Sequence, residues 1–170
     1  MTPGEKINKI ITCLRVYALG DIHKTIPLDA QLASFILCSC FIDQVAAFHT
    51  GIKQFAPPKN YNIKKRFINF CNDYLTKINL NYNSEELYDY FRCGIVHSYT
   101  GEKKFALGRY GDGLHLSTTI NGRTLLILED FLADIELAFD HWCADIQVAG
   151  LLRDSAVGWF DYKGIYAEVK

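Results

Sequence analysis

Arg92 and His97 are separated by four residues and are the two side chains of this sequence best suited to phosphodiester chemistry. Cleaving RNA without a metal needs a base of near-neutral pKa that activates a ribose 2′-hydroxyl. It also needs a fixed cation for the charge that develops on the phosphate. Histidine suits the first role. Arginine suits the second, because its planar guanidinium can hold two phosphate oxygens at once.

The spacing of the two residues sets a geometric condition. Five residues of a regular helix rotate by about 500°, which leaves the two side chains about 140° apart. Gly94 and a helix end near His97 could supply a local irregularity, or a two-fold dimer could pair each motif with its copy. The alternative is structural, with His97 capping the carbonyl end of its helix and Arg92 bound to a nearby carboxylate. The candidate carboxylates are Asp43, Asp89 and Glu86.

Asp43 follows the most apolar stretch of the chain, residues 32–42. An unpaired carboxylate is costly in such surroundings, so Asp43 should have a partner, and Arg92 is the candidate. In that arrangement Asp43 orients the guanidinium. The alternative is an exposed aspartate at a helix bend.

Several basic side chains lie around the start of the third predicted helix, where they could guide an RNA backbone. Residues 1–128 hold 15 basic and 10 acidic side chains, whereas residues 129–170 hold 3 and 9. This asymmetry is explained either by a basic groove or by a solvated face combined with helix-dipole preferences. Tyr99 could stack on a base, although core or surface packing is the ordinary role of a tyrosine. The candidate RNA-binding residues are Lys59, Lys64, Lys65, Arg66 and Tyr99.

The sequence gives no reason to expect a cofactor or a metal. Phosphate-binding, dinucleotide-binding and zinc-protease motifs are absent, and the glycines of residues 108–113 are typical of a hairpin turn. The six cysteines are scattered through apolar segments without a Cys-x-x-Cys pair, which is typical of reduced core residues. The other histidines, His23, His49, His115 and His141, stand apart from one another.

Hydrophobic periodicity predicts about five helices in a single domain of residues 1–170. Three short segments of strand-like composition, separated by glycine-rich turns and by Asn121-Gly122, predict a small antiparallel β-meander before the last long helix. The tail after Asp154 is ambiguous. The predicted helices are 5–19, 28–50, 62–78, 84–97 and 129–152, and the predicted meander is 103–128.

An Arg-x4-His pair at the end of the fourth helix of a bundle resembles the Arg-x4-6-His motif of the HEPN superfamily. The resemblance extends over roughly residues 5–152, with Cys93 where many members carry asparagine. It implies a mainly α, HEPN-like bundle and a metal-independent endoribonuclease or RNA-binding protein of a microbial toxin or defence system. It also implies a homodimer and a separate antitoxin chain as partners. The alternative is a non-catalytic helical interaction module or a nucleotide-binding module.

Composition favours a folded protein away from membranes. The chain is 49% hydrophobic with a formal net charge of −1, which excludes intrinsic disorder and gives no general attraction to anionic surfaces. The apolar stretch 32–42 falls short of the roughly 20 residues of a membrane span, so we expect a buried core helix. The N-terminal residues lack a signal pattern, so the expected compartment is the cytoplasm.

Overall fold

The computed structural model describes residues 1–51, 63–98 and 103–165. In these ranges the chain is mainly helical, with six helices and two short strands. The helices are α1 (residues 3–25), α2 (Gln31–Thr50), α3 (residues 63–78), α4 (residues 84–98), α5 (Leu128–Gln147) and α6 (Leu151–Lys163); the strands are β1 (Phe105–Gly108) and β2 (Thr124–Ile127). The predicted mainly α class is confirmed.

Three of the helices contain a π-helical turn. These turns are Cys13–Leu19 in α1, Cys71–Leu75 in α3 and Leu87–Arg92 in α4. In α4 the Cys93 N–H donates to the carbonyl of Tyr88, five residues earlier. Such wider turns are rare and often lie at functional sites. The turn in α4 includes the predicted catalytic arginine.

Helix α2 forms the centre of the bundle. It packs against α3, α5 and α6, and ten of its residues are buried, including Phe35 and Phe48. By length and composition α2 is apolar enough to cross a membrane, yet 56% of its most apolar window is buried inside the fold. The prediction of a core helix in this segment is confirmed.

The structure has six helices where about five were predicted, and four of the predicted boundaries are wrong, including the start of α2, which lies at Gln31 and not at residue 28. Helix α1 starts earlier than predicted, with Pro3 in its first turn and a capping box formed by Thr2 and Glu5. It continues to Thr25, because Gly20 adopts helical torsion angles and does not end the helix. The last helix stops at Gln147, and the ambiguous tail forms a sixth helix after a turn at Gly150, whose φ is 150°.

The predicted antiparallel meander is also wrong, because β1 and β2 pair in parallel, with Phe105 opposite Thr124 and Gly108 opposite Ile127. In a three-stranded meander the outer strands run the same way, separated by the middle one. Here the middle segment leaves that position, and it contacts β2 through the antiparallel bridge Thr118 to Thr124 and through backbone hydrogen bonds of Leu116 and Ser117 with Leu125. The 15 residues between the strands give the long connection that parallel pairing requires.

Aromatic packing fixes helix α4 against the core. The Phe91 ring centre lies 5.9 Å from that of Phe35, 5.3 Å from that of Phe131 and 6.1 Å from that of Phe105. Phe91 is fully buried, as are Leu87 and Ile95. The next residue, Arg92, therefore lies at the boundary between the core and solvent.

Candidate functional site

Arg92 ends the π turn of α4 and binds Asp43 of α2. Its Nε donates to Asp43 Oδ2 at 2.8 Å, and its Nη2 lies 2.7 Å from the same oxygen. The side chains of Arg92 and Asp43 are only 16% and 17% exposed. Burial opposes the charge of Arg92, but the hydrogen bonds with Asp43 prevail and raise the pKa of Arg92. The contact expected from the sequence is therefore formed, while its functional role stays a prediction.

The ion pair leaves part of each partner unused. Asp43 Oδ1 is buried and accepts no hydrogen bond from any residue that the structure describes. The guanidinium approaches with its Nε–Nη2 edge, so that Nη1 lies on the side away from Asp43. Arg92 is therefore held firmly and still presents a donor nitrogen to other groups.

That nitrogen lies beside His97. Arg92 Nη1 and His97 Nε2 are 3.5 Å apart, a long hydrogen bond, and His97 is exposed. Because an arginine only donates, His97 Nε2 is the acceptor in this contact. The long arginine side chain spans the 140° separation expected for a regular helix. A second copy of the chain is therefore not required to bring Arg92 and His97 together.

Tyr88 is a member of the site that sequence reasoning missed. Arg92 Cζ lies 5.6 Å and Lys64 Nζ lies 6.0 Å from the centre of the Tyr88 ring. Lys64 also donates to Asp89 Oδ2 at 2.6 Å, and this hydrogen bond raises the pKa of Lys64. The signal in the sequence was the spacing of four between Tyr88 and Arg92 on one helix.

Lys64 and Arg66, two of the predicted RNA-binding residues, lie against different aromatic rings. Lys64 lies by Tyr88, whereas Arg66 places its Cζ 5.5 Å from the ring centre of Trp159 on α6. Lys65 is exposed on α3 between them. The remaining two, Lys59 and Tyr99, lie outside the described residues. Among the described residues of the basic run, Lys64 is thus the one that shares the Tyr88 ring with Arg92.

A second polar network, separate from Arg92 and His97, is partly buried and joins Tyr82, His115 and Asp134. The Ile127 N–H donates to His115 Nδ1 at 3.0 Å, and His115 Nε2 lies 2.7 Å from the Tyr82 hydroxyl. Tyr82 in turn donates to Asp134 Oδ2 at 2.8 Å. Burial lowers the pKa of His115 and raises the pKa of Asp134. This network fastens the segment between β1 and β2 to helix α5.

Two further histidines, His23 and His49, each lie within hydrogen-bond distance of a carboxylate. His23 Nε2 lies 2.6 Å from Glu136, and His49 Nε2 lies 2.8 Å from Asp73. Within the described ranges no three His, Cys, Asp or Glu side chains are grouped to hold a metal ion. The three predicted residues Asp43, Arg92 and His97 form a cluster that combines a held cation with an exposed imidazole. No protein-family model, no curated protein and no solved structure matches this sequence.

Proposed function

We propose that this chain is an RNA-binding protein with metal-independent endoribonuclease activity, in which Arg92 clamps a phosphate and His97 transfers protons. One observation carries the proposal: Asp43 holds one edge of the Arg92 guanidinium while Nη1 lies 3.5 Å from His97 Nε2. A fixed guanidinium beside an exposed imidazole supplies the two groups that metal-independent cleavage needs.

The chemistry follows from the two side chains. When the phosphate replaces His97 as the partner of Arg92 Nη1, the freed Nε2 of His97 accepts the proton of a ribose 2′-hydroxyl, and the 2′-oxygen attacks the adjacent phosphorus. The bond to the 5′-oxygen breaks, and that oxygen takes up a proton as it leaves. The products carry a 2′,3′-cyclic phosphate and a 5′-hydroxyl. Arg92 Nη1 stabilises the negative charge that develops on the phosphate oxygens.

An in-line displacement places the base and the acid on opposite sides of the phosphorus, so one imidazole cannot serve as both at the same time. A homodimer resolves this, because His97 of a second copy can protonate the leaving oxygen. The resemblance to the HEPN superfamily also underlies two further parts of the proposal: a separate antitoxin chain and a cytoplasmic role in microbial stress or defence.

The test is cleavage of end-labelled RNA with and without EDTA by the wild-type chain, by His97→Ala and by His141→Ala. His141 is exposed on α5, which makes it a matched control. We expect cleavage that persists in EDTA, leaves 2′,3′-cyclic phosphate ends, survives in His141→Ala and is lost in His97→Ala. Equal cleavage by both variants, or none by folded wild-type protein, contradicts the proposal.

A non-catalytic interaction or nucleotide-binding module is the second candidate, because an ion pair such as Arg92–Asp43 also serves simply to join two helices. The salt dependence of RNA binding separates the two readings. Phosphate contacts predict a steep loss of affinity with salt, whereas an interaction module binds RNA weakly at any salt concentration. Thermal stabilisation by a free nucleotide would identify the nucleotide-binding form.

A further inference from the structure

A groove with a volume of about 780 Å³ lies between α3 and the start of α4. Its wall combines two tyrosines, Tyr82 and the more exposed Tyr90, with three amides, Asn72, Asn81 and Asn83. The Oδ1 atom of Asn72 accepts from Ser84, and that of Asn83 caps α4. These two amides therefore have their oxygens engaged and offer N–H donors. A flat ligand with both hydrogen-bonding edges and a π face fits this combination.

Carboxylates border the groove, and two of them are paired with lysines. Glu86 accepts from Lys104 at 3.0 Å, and Lys104 Nζ lies 5.9 Å from the Tyr90 ring centre. Asp89 accepts from Lys64 at 2.6 Å. The third carboxylate, Glu85, adds a further negative charge. Such a border repels a phosphate but admits an uncharged ring.

The groove is joined to the Arg92 site through Lys64. Asp89 lines the groove, its partner Lys64 lies over the Tyr88 ring, and Arg92 lies over the same ring. A phosphate chain that runs along Arg92 and Lys64 thus passes beside the groove. Tyr90 itself is 37% exposed, which leaves ring surface for stacking.

We propose that this groove holds a nucleobase next to the phosphate that Arg92 clamps, with the base stacked on Tyr90; this inference rests on the proposed RNA-binding function. Carboxylates only accept hydrogen bonds, so Glu85 favours a base with an amino group. Adenine, cytosine and guanine carry such a group and uracil does not. The site therefore prefers amino-bearing bases over uracil.

The test measures binding by fluorescence anisotropy, with 2′-O-methyl hexanucleotides of adenine, cytosine or uracil and an abasic hexamer. These probes lack the attacking hydroxyl and are not cleaved. The variants are Tyr90→Leu and Glu85→Gln. The control is Tyr162→Leu, because Tyr162 is 48% exposed on α6 and also has a lysine, Lys163, over its ring.

We expect the wild-type chain to bind the adenine hexamer about tenfold more tightly than the abasic hexamer, the scale of one stacked base. Tyr90→Leu should remove that difference, Tyr162→Leu should keep it, and Glu85→Gln should reduce the preference over uracil. Equal binding of the abasic and base-containing hexamers overturns the groove assignment alone. Failure to bind any hexamer overturns the RNA-binding function and the groove assignment with it.

Discussion

Asp43→Asn is the substitution that most directly tests the Arg92–Asp43 pair. It keeps the shape of the side chain and one carbonyl oxygen but removes the charge that faces a permanently protonated guanidinium. Breaking a fully buried ion pair costs about 3–5 kcal/mol, and a hydrogen bond to a charged group is worth about 1.5–3 kcal/mol. Because both side chains are about five-sixths buried and asparagine retains one acceptor, we expect a loss of about 2 kcal/mol in the free energy of unfolding.

Urea denaturation of a double-mutant cycle measures this energy. The cycle compares the wild-type chain with Asp43→Asn, Arg92→Gln and the double variant. We expect a coupling energy of at least about 1 kcal/mol, because Nε and Nη2 of Arg92 both approach one oxygen of Asp43. A coupling energy within about 0.3 kcal/mol of zero would refute the contact as drawn. RNA affinity should also fall in Asp43→Asn while its salt slope stays the same, since Asp43 touches no phosphate in this mechanism.

Three further predictions follow from the geometry. Lys64→Gln should reduce the salt slope of RNA binding by about one, whereas Arg66→Gln should leave it unchanged, because Arg66 lies against Trp159; equal slopes would contradict the placement of Lys64. Burial lowers the pKa of His115 in the folded chain. Below the unfolded pKa of about 6.5 the unfolded chain therefore binds more protons than the folded chain, and the free energy of unfolding decreases as the pH is lowered. Urea titrations from pH 7.5 to pH 5 should show a smaller fall in His115→Gln. Gly51→Ala should cost about 2 kcal/mol or more, because φ is 61° and an added Cβ overlaps the backbone of α6. Gly122→Ala has a similar φ but open space, and should cost about 1 kcal/mol in the same urea assay.

The sequence predicted the central helix and the Arg92–Asp43 contact for the same physical reason. A long apolar stretch must be buried, and a carboxylate at its end needs a partner, so composition alone favoured a cation opposite Asp43. Leu87, Phe91 and Ile95 are buried and lie four residues apart, the spacing of one apolar helix face. Such features depend on hydrophobic patterning and on the cost of burying an unpaired charge, both of which can be read from the sequence.

Other features depended on contacts between distant residues. The π turn Leu87–Arg92 has no sequence signature, and the parallel pairing of β1 with β2 depends on where the connecting segment goes. The network of Tyr82, His115 and Asp134 joins three segments of the chain. The position of Tyr88 under both Arg92 and Lys64 depends on how α3 packs against α4.

The incomplete bonding of the Arg92–Asp43 pair is a physical argument for function at this site. A purely structural arginine–carboxylate pair commonly forms two parallel bonds that use both carboxylate oxygens. Here Nε and Nη2 both approach Oδ2, Oδ1 accepts no hydrogen bond from the described residues, and Nη1 lies at the long distance of 3.5 Å from His97 Nε2. An anion bound at Nη1 would be a closer partner for this nitrogen than His97 is. The arrangement is therefore better matched to a guanidinium that awaits a phosphate than to one that only joins α2 and α4.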